Sequence, residues 1–353
     1  MEVRKIVKVL IAEDSPVIAR VIATLLGSDP GIKVVATAHN GKEAVELAMS
    51  LKPDIITMDI HMPIMDGYEA TKQIMAHCPT PILIASAAVQ SDGVERMFRA
   101  VSYGALDLID ISEIATNEVL GRKFIDSIKL LSRIKVVHHM LAKMEGRAAM
   151  MADDQATGTT LLKASERLLA IVASTGGPMA ILTVLKALPH DLPYGIVIVQ
   201  HITSGFLEQF AHWLRGECRF NVRIGQQGEA IEPGVVYLAP CDLQMRVSAQ
   251  GTLLLSDEPL YDGHKPSASC LLESVARAYG ESAIAVILTG MGKDGARGMK
   301  EVKARGGRTI AQDQASCVVF GMPKEAIDLG CIDRVSPLGD IAAEIVKMAG
   351  KGA

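Results

Sequence analysis

Paired cysteines, long apolar runs and a surplus of either charge are all missing from this chain. Its six cysteines, Cys78, Cys218, Cys241, Cys270, Cys317 and Cys331, form no C-x-x-C pair, and several sit in apolar runs. Reduced, buried thiols are therefore expected, rather than a zinc site or a disulfide framework. The 36 basic and 40 acidic residues leave a net charge of -4. Nothing electrostatic recommends a nucleic acid or an anionic membrane as partner. No window of about 18 uninterrupted apolar residues occurs, and the opening MEVRKIVKVLIAED reaches acidic residues too soon for a signal peptide. The expectation is a cytoplasmic protein with no membrane insertion. No internal repeat is evident, and the C-terminal end carries no receptor-like tail or tethering peptide.

At 353 residues, 49% hydrophobic and 22% charged, the chain is a soluble type with room for about two domains. Apolar runs alternate with helical patterns: VKVLIA (7–12), IKVVATA (32–38), IITM (55–58), PILIAS (81–86) and LDLI (106–109). Strand, helix, strand repeated in this way implies a doubly wound parallel sheet over residues 1–112. Residues 113–165 hold an amphipathic stretch, FIDSIKLLSRIKVVHHMLAKM, and then GRAAMMADDQATGTT, which reads as a flexible linker. A second series fills 166–353: LLAIVAS, GIVIVQH, EPGVVYLAP, GTLLLSD, AIAVILTG and RTIAQD. It predicts a mainly parallel α/β domain with a β-hairpin-like insertion in the middle.

Open parallel sheets bind ligands at the carboxyl ends of their strands. In the first half those ends carry Glu13 and Asp14, Asp59, and Ser86. Three converging carboxylates make a hard oxygen site suited to Mg²⁺, although each alone also reads as a helix cap. The stretches VLIAEDSPVIARVIATLL, TMDIHMPIMDGYEAT and ILIASA resemble a response-regulator receiver domain, of flavodoxin-like fold, across about residues 6–111. That resemblance implies metal binding by Glu13 and Asp14 with Asp59, phosphorylation of Asp59 by a sensor histidine kinase, and a hydroxyl at Ser86 that follows the phosphoryl group. Mg²⁺ would neutralise phosphoryl oxygens while the carboxylate attacks in line. The lysine usual at the end of the fifth strand is replaced by Ile111, which puts the coupling of phosphate to conformation in question.

In the second half, ASTGGPM ends a strand in Ser174, followed by Gly176, Gly177 and Pro178. The nucleophile pattern G-x-S-x-G fails at Val172, and a serine here can equally be a helix cap. Backbone N–H groups and a helix N-terminus beside the hydroxyl favour chemistry. GIVIVQH ends in His201, and AIAVILTGMGKDG delivers Asp294. Serine, histidine and aspartate thus lie at three strand ends of one sheet, where histidine can take the serine proton and aspartate can orient the ring. Gly290, Gly292 and Gly295, with Asp313 further on, also satisfy a dinucleotide fingerprint.

The segments IVASTGGPMAILTVLKALP, IVIVQHITSGFLEQFAHWL, EPGVVYLAPCD, HKPSAS, ILTGMGKDGARGM and TIAQDQASCVVFGMPKEAI resemble the catalytic domain of chemotaxis protein-glutamate methylesterases, the CheB family, over about 166–348. The resemblance implies that Ser174 is the nucleophile, His201 the base and Asp294 the orienting acid, with no cofactor. It makes the glycines the family's own GMGxDG loop. N–H groups near Met291 and the Gly176–Gly177 turn are candidates for an oxyanion hole, and His264 and Ser267 for the groove or for buried structural roles. The implied reaction is hydrolysis of glutamyl γ-methyl esters on chemoreceptors, with deamidation of certain glutamines as a second activity, under a receiver that covers the groove until phosphorylated. Ser269, Cys241 and Gln244 depart from the residues common at their places near the expected groove. The alternative is a response regulator whose esterase-like domain serves as an interaction module for a partner outside chemotaxis. Limited proteolysis of the full chain is expected to cut first within residues 142–166 and release two stable fragments; first cuts inside either α/β half would contradict that boundary.

Overall fold

Alternation of apolar strands with amphipathic helices is realised twice along the chain. The computed structural model describes residues 5–86, 94–112, 114–134, 136 and 165–350, divided into two units, Met1–Thr160 and Leu161–Ala353. Most of the expected linker lies outside the described residues.

The first unit runs β1 (Val7–Ala12), α1 (Pro16–Gly27), β2 (Ile32–Ala38), α2 (Gly41–Leu51), β3 (Ile55–Met58), α3 (Gly67–His77), β4 (Ile82–Ser86), α4 (Val94–Ser102), β5 (Asp107–Asp110) and α5 (Glu118–Leu131). Its five strands form one parallel sheet in the order β2-β1-β3-β4-β5. Most strand residues are sealed, because helices cover both faces, and this is why the strands read as unbroken apolar runs. Side-chain caps start four of the helices: Ser15, Asn40 and Asp66 accept from Ile18, Glu43 and Glu69 N–H respectively, and Asn117 accepts from Val119 and Leu120 N–H. Helix α5 buries Phe124, Ile128 and Leu131, and Lys129 pairs with Asp29. It therefore belongs to the first body, which extends past residue 112.

The second unit runs β6 (Leu168–Ala173), α6 (Gly177–Ala187), β7 (Gly195–Gln200), α7 (Ser204–Glu217), β8 (Asn221–Ile224), β9 (Val235–Leu238), β10 (Gln244–Val247), β11 (Leu253–Ser256), α8 (Ala268–Tyr279), β12 (Ala283–Ile287), α9 (Ala296–Ala304), β13 (Arg308–Gln312), α10 (Met322–Asp328), β14 (Arg334–Ser336) and α11 (Ile341–Ala349). Seven strands make a parallel sheet, β14-β13-β12-β6-β7-β9-β8. The inserted antiparallel hairpin is β10 with β11. EPGVVYLAP, expected to sit in the insertion, instead supplies β9 to the main sheet, because its four strand residues are buried on both faces.

Register brings the chemistry together. β6 pairs with β7 through Ala173↔Gln200, and with β12 through Val172↔Ile287. The next residues stay in step, since His201 N–H donates to Ala173 O and Ser174 N–H to Thr289 O. Ser174 therefore emerges between the ends of β7 and β12, where the strand order reverses, the place at which open α/β sheets hold ligands.

Candidate active site

At the end of β12 the chain turns through Gly290 to Asp294. A Cβ on Gly290 would stand 2.3 Å from Met322 Sδ and 2.9 Å from Ser174 Cβ, so only glycine lets this loop pass so close to the serine. Asp294 is buried, and five donors converge on its carboxylate. Oδ1 accepts from the Ser267 hydroxyl (2.8 Å) and from the N–H groups of Ser269 (2.9 Å) and Gly295 (2.9 Å), while Oδ2 accepts from Ala268 N–H (2.7 Å) and meets His201 Nε2 at 3.0 Å. Ala268 and Ser269 open α8, so the carboxylate caps the positive end of that helix. Burial alone would raise its pKa, but the His201 bond and charge together with the α8 N–H groups outweigh it and hold the carboxyl well below its usual range.

An ionised carboxylate can only accept. His201 Nε2 therefore carries the proton, and Nδ1 keeps the free lone pair. Nδ1 is buried with no hydrogen-bond partner among the described residues. The assignment is opposite to that of the chymotrypsin-type triad, in which the carboxylate holds Nδ1–H. Against the same ring lies His264, with centroids 4.1 Å apart and planes 1° from parallel.

Sequence reading missed Gln200 and assigned Gln244 to the groove. Gln200 Nε2 donates to Ser174 O (2.9 Å) and to His201 O (3.0 Å), tying the two strand ends together and leaving its own Oε1 buried without a partner among the described residues. The signal available was a polar residue closing the apolar run GIVIVQ. Gln244 donates to Pro259 O (3.2 Å) and His264 O (3.0 Å) and accepts from Ser267 N–H (2.9 Å). Only its departure from the family's residue marked it in advance.

Several expectations shift. Ser267 is sealed beneath the site, bonding Asp294 and capping α8 through Cys270 N–H, so it cannot line a groove. Gln244 and Ser269 are likewise fully buried; Ser269 Oγ accepts from Gly295 N–H at 2.8 Å. Gly177 N–H is already given to Ser174 O at 2.7 Å, which removes it as an oxyanion donor, while Gly176, in the left-handed region at φ 76°, caps α6. Met291 is exposed at the lip of the site. Cys241 is half-buried, with its thiol pushed up to about 11 by burial and by Asp242, so it is a poor nucleophile. His201, His264 and Asp294 also offer ligand atoms within 4.8 Å of one another. The carboxylate is already saturated and the parallel rings direct their lone pairs into separate planes, an arrangement that suits a proton better than a cation.

In the first unit the same logic of strand ends applies. Ala12↔Met58 pairs β1 with β3, and Asp59 N–H donates to Ala12 O, so Glu13 and Asp59 emerge side by side. Ser86 Oγ donates to Asp59 Oδ1 at 2.8 Å. Glu13, Asp14 and Asp59 present oxygens within 4.8 Å of one another. Burial, then the Asp59 charge, pushes Glu13 up to about 7; burial also raises Asp59 against the opposing Ser86 bond. Crowded like charges of this kind are relieved by a small divalent cation. Ile111 follows β5 and is buried, with its N–H on Ser86 O at 3.2 Å.

The chain matches the CheB methylesterase family over residues 169–345 and the response regulator receiver domain over 9–110. It is 42% identical to protein-glutamate methylesterase/protein-glutamine glutaminase 1 of Syntrophus aciditrophicus, covering 98% of this chain and 99% of that one. The corresponding protein of Nitrosospira multiformis is 42% identical, with 97% of each chain covered. Among solved structures, the CheB methylesterase catalytic domain of Thermotoga maritima is 37% identical at a TM-score of 0.50, covering 52% of this chain and 98% of that one.

Because Asp294 is held below its ordinary 3.8, the stability it supplies is complete above about pH 4 and is lost as pH falls through its folded value. Asp294→Asn is expected to destabilise the second unit by about 2 kcal/mol at neutral pH, with the gap to wild type narrowing below about pH 4. Denaturant unfolding as a function of pH checks this; a gap that stays constant into acid would show that the charge is not what anchors the loop.

Proposed function

From the premise that the chain belongs to the CheB methylesterase family, with a receiver domain ahead of the esterase, we propose that Ser174, His201 and Asp294 hydrolyse glutamyl γ-methyl esters on chemoreceptor cytoplasmic domains. The observation that carries this reading is the saturated Asp294 carboxylate holding His201 Nε2 beside the Ser174 strand end. Ser174 Oγ attacks the ester carbonyl and its proton passes to His201 Nδ1. The imidazolium then returns the proton to the departing oxygen, and methanol leaves. Water, deprotonated by the same nitrogen, attacks the acyl-serine and frees glutamate. Met291 and Gly176 N–H are the proposed oxyanion donors, each contributing about 3 kcal/mol to the transition state. The same attack on a glutamine side chain releases ammonia, in keeping with the double names of the relatives. With a serine and histidine so placed and likeness over nearly the full length, the interaction-module alternative has no observation of its own.

A receiver domain implies phosphorylation, and Asp59 is the proposed acceptor, supplied by a sensor histidine kinase. Glu13, Asp14 and Asp59 fit Mg²⁺ by donor type and by their unrelieved mutual charge. When bound, the cation would neutralise phosphoryl oxygens during transfer. Ser86, whose hydroxyl already bonds Asp59, is the residue proposed to follow the phosphoryl group. No helix among the described residues is long and apolar enough to cross a membrane; a cytoplasmic location is part of the proposal.

Methanol release from methylated receptor membranes, with and without a small phosphodonor, tests the whole reading. Ser174→Ala is expected to abolish release while the fold survives, since one oxygen is lost; release above a small fraction of the wild-type rate would sink the assignment. A lysine at position 111 would add a charge-assisted contact to the phosphoryl group, so Ile111→Lys is expected to raise the ratio of phosphorylated to unphosphorylated activity by roughly tenfold. If Asp59→Ala removes a strong native activation while Ile111→Lys changes nothing, another cation already fills that role.

A further inference from the structure

Asp294 fixes one atom of the His201 ring and leaves its plane undetermined. A single bond at Nε2 lets an imidazole swing about the line from that nitrogen to Cβ, and such a swing carries Nδ1 away from any fixed neighbour. What lies flat on the ring is His264, at 4.1 Å between centroids and 1° from parallel. Its own backbone is held from two sides. His264 N–H and O each bond Tyr261, at 3.0 Å both ways, and Gln244 Nε2 donates to the same carbonyl at 3.0 Å. Gln244 also binds Pro259 O and Ser267 N–H, so one buried amide fastens the loop from 259 to the start of α8. A neutral histidine, with one donor and one acceptor, could make at most two of these three bonds. Gln244 thus serves the loop that carries His264.

We infer that His264 is a positioning residue for the base: its ring, pinned through Gln244 and Tyr261, is a platform that sets the plane of His201 and with it the direction of the Nδ1 lone pair. The inference rests on the reading of His201 as base. It assigns His264 no proton to carry and no substrate atom to hold. Stacked rings favour such flat, offset contact, and a displacement of about 1 Å at a reacting atom costs on the order of 100-fold in rate.

The test compares His264→Ala with His264→Phe in the full chain, by methanol release over a range of methylated receptor concentrations, with thermal unfolding recorded for both. Alanine is expected to lower kcat by about 10- to 100-fold with KM within about twofold of wild type. Phenylalanine keeps a ring without nitrogens and is expected to restore kcat to within roughly threefold. A rise in KM at unchanged kcat would overturn the platform in favour of substrate contact. Phenylalanine as poor as alanine, at equal unfolding temperature, would overturn it in favour of an imidazole nitrogen at work. Normal kcat in both variants would overturn it outright. Failure of the underlying reading looks different: turnover surviving in Ser174→Ala removes the base role of His201, and the platform with it.

Discussion

The Asp294 carboxylate is the joint on which the esterase unit turns. It receives the N-terminus of α8, the N–H of the following residue Gly295, the Ser267 hydroxyl and the His201 ring. Loop, helix and base are consequently one hydrogen-bonded body. Removing a charge so fully solvated by protein leaves several buried donors unsatisfied. The same donors hold the carboxyl well below its usual range, which leaves the shared proton on the His201 ring and suits the orienting part proposed for Asp294.

The two units make opposite use of buried carboxylates. Asp294 is surrounded by donors and stays ionised, whereas Glu13 and Asp59 are buried beside each other and are pushed up. A finished electrostatic arrangement suits catalysis that repeats without change of partner. An unfinished one suits the cation and the phosphoryl group proposed for the first unit. Both stand at strand ends of parallel sheets, where register alone sets neighbours: Ala173↔Gln200 places Ser174 by His201, as Ala12↔Met58 places Glu13 by Asp59.

Much of this was legible in the sequence because the signals were local. Continuous apolar runs gave both parallel sheets, and residues closing those runs gave Ser174, His201, Asp294, Asp59 and Ser86. What stayed hidden was non-local. EPGVVYLAP reads as a turn-rich insertion, and only its place between β7 and β8 in the sheet makes it a buried strand. Ser267 reads as a groove residue until α8 is seen to start on Asp294. Gln200 and Gln244 carry no motif; their value lies in carbonyls that lie far off in sequence, such as Ser174 O and Pro259 O. The stacking of His264 on His201 joins residues on separate loops, and no periodicity records it.

The central claim is that His201 donates through Nε2 and keeps Nδ1 as its basic nitrogen. Nitrogen-15 NMR of the histidine-labelled full chain near neutral pH reads this directly, with His201 assigned by its absence in a His201 variant. The account predicts a proton on Nε2, shifted downfield by the Asp294 bond, and a bare Nδ1. A proton on Nδ1 with Nε2 unprotonated would contradict it.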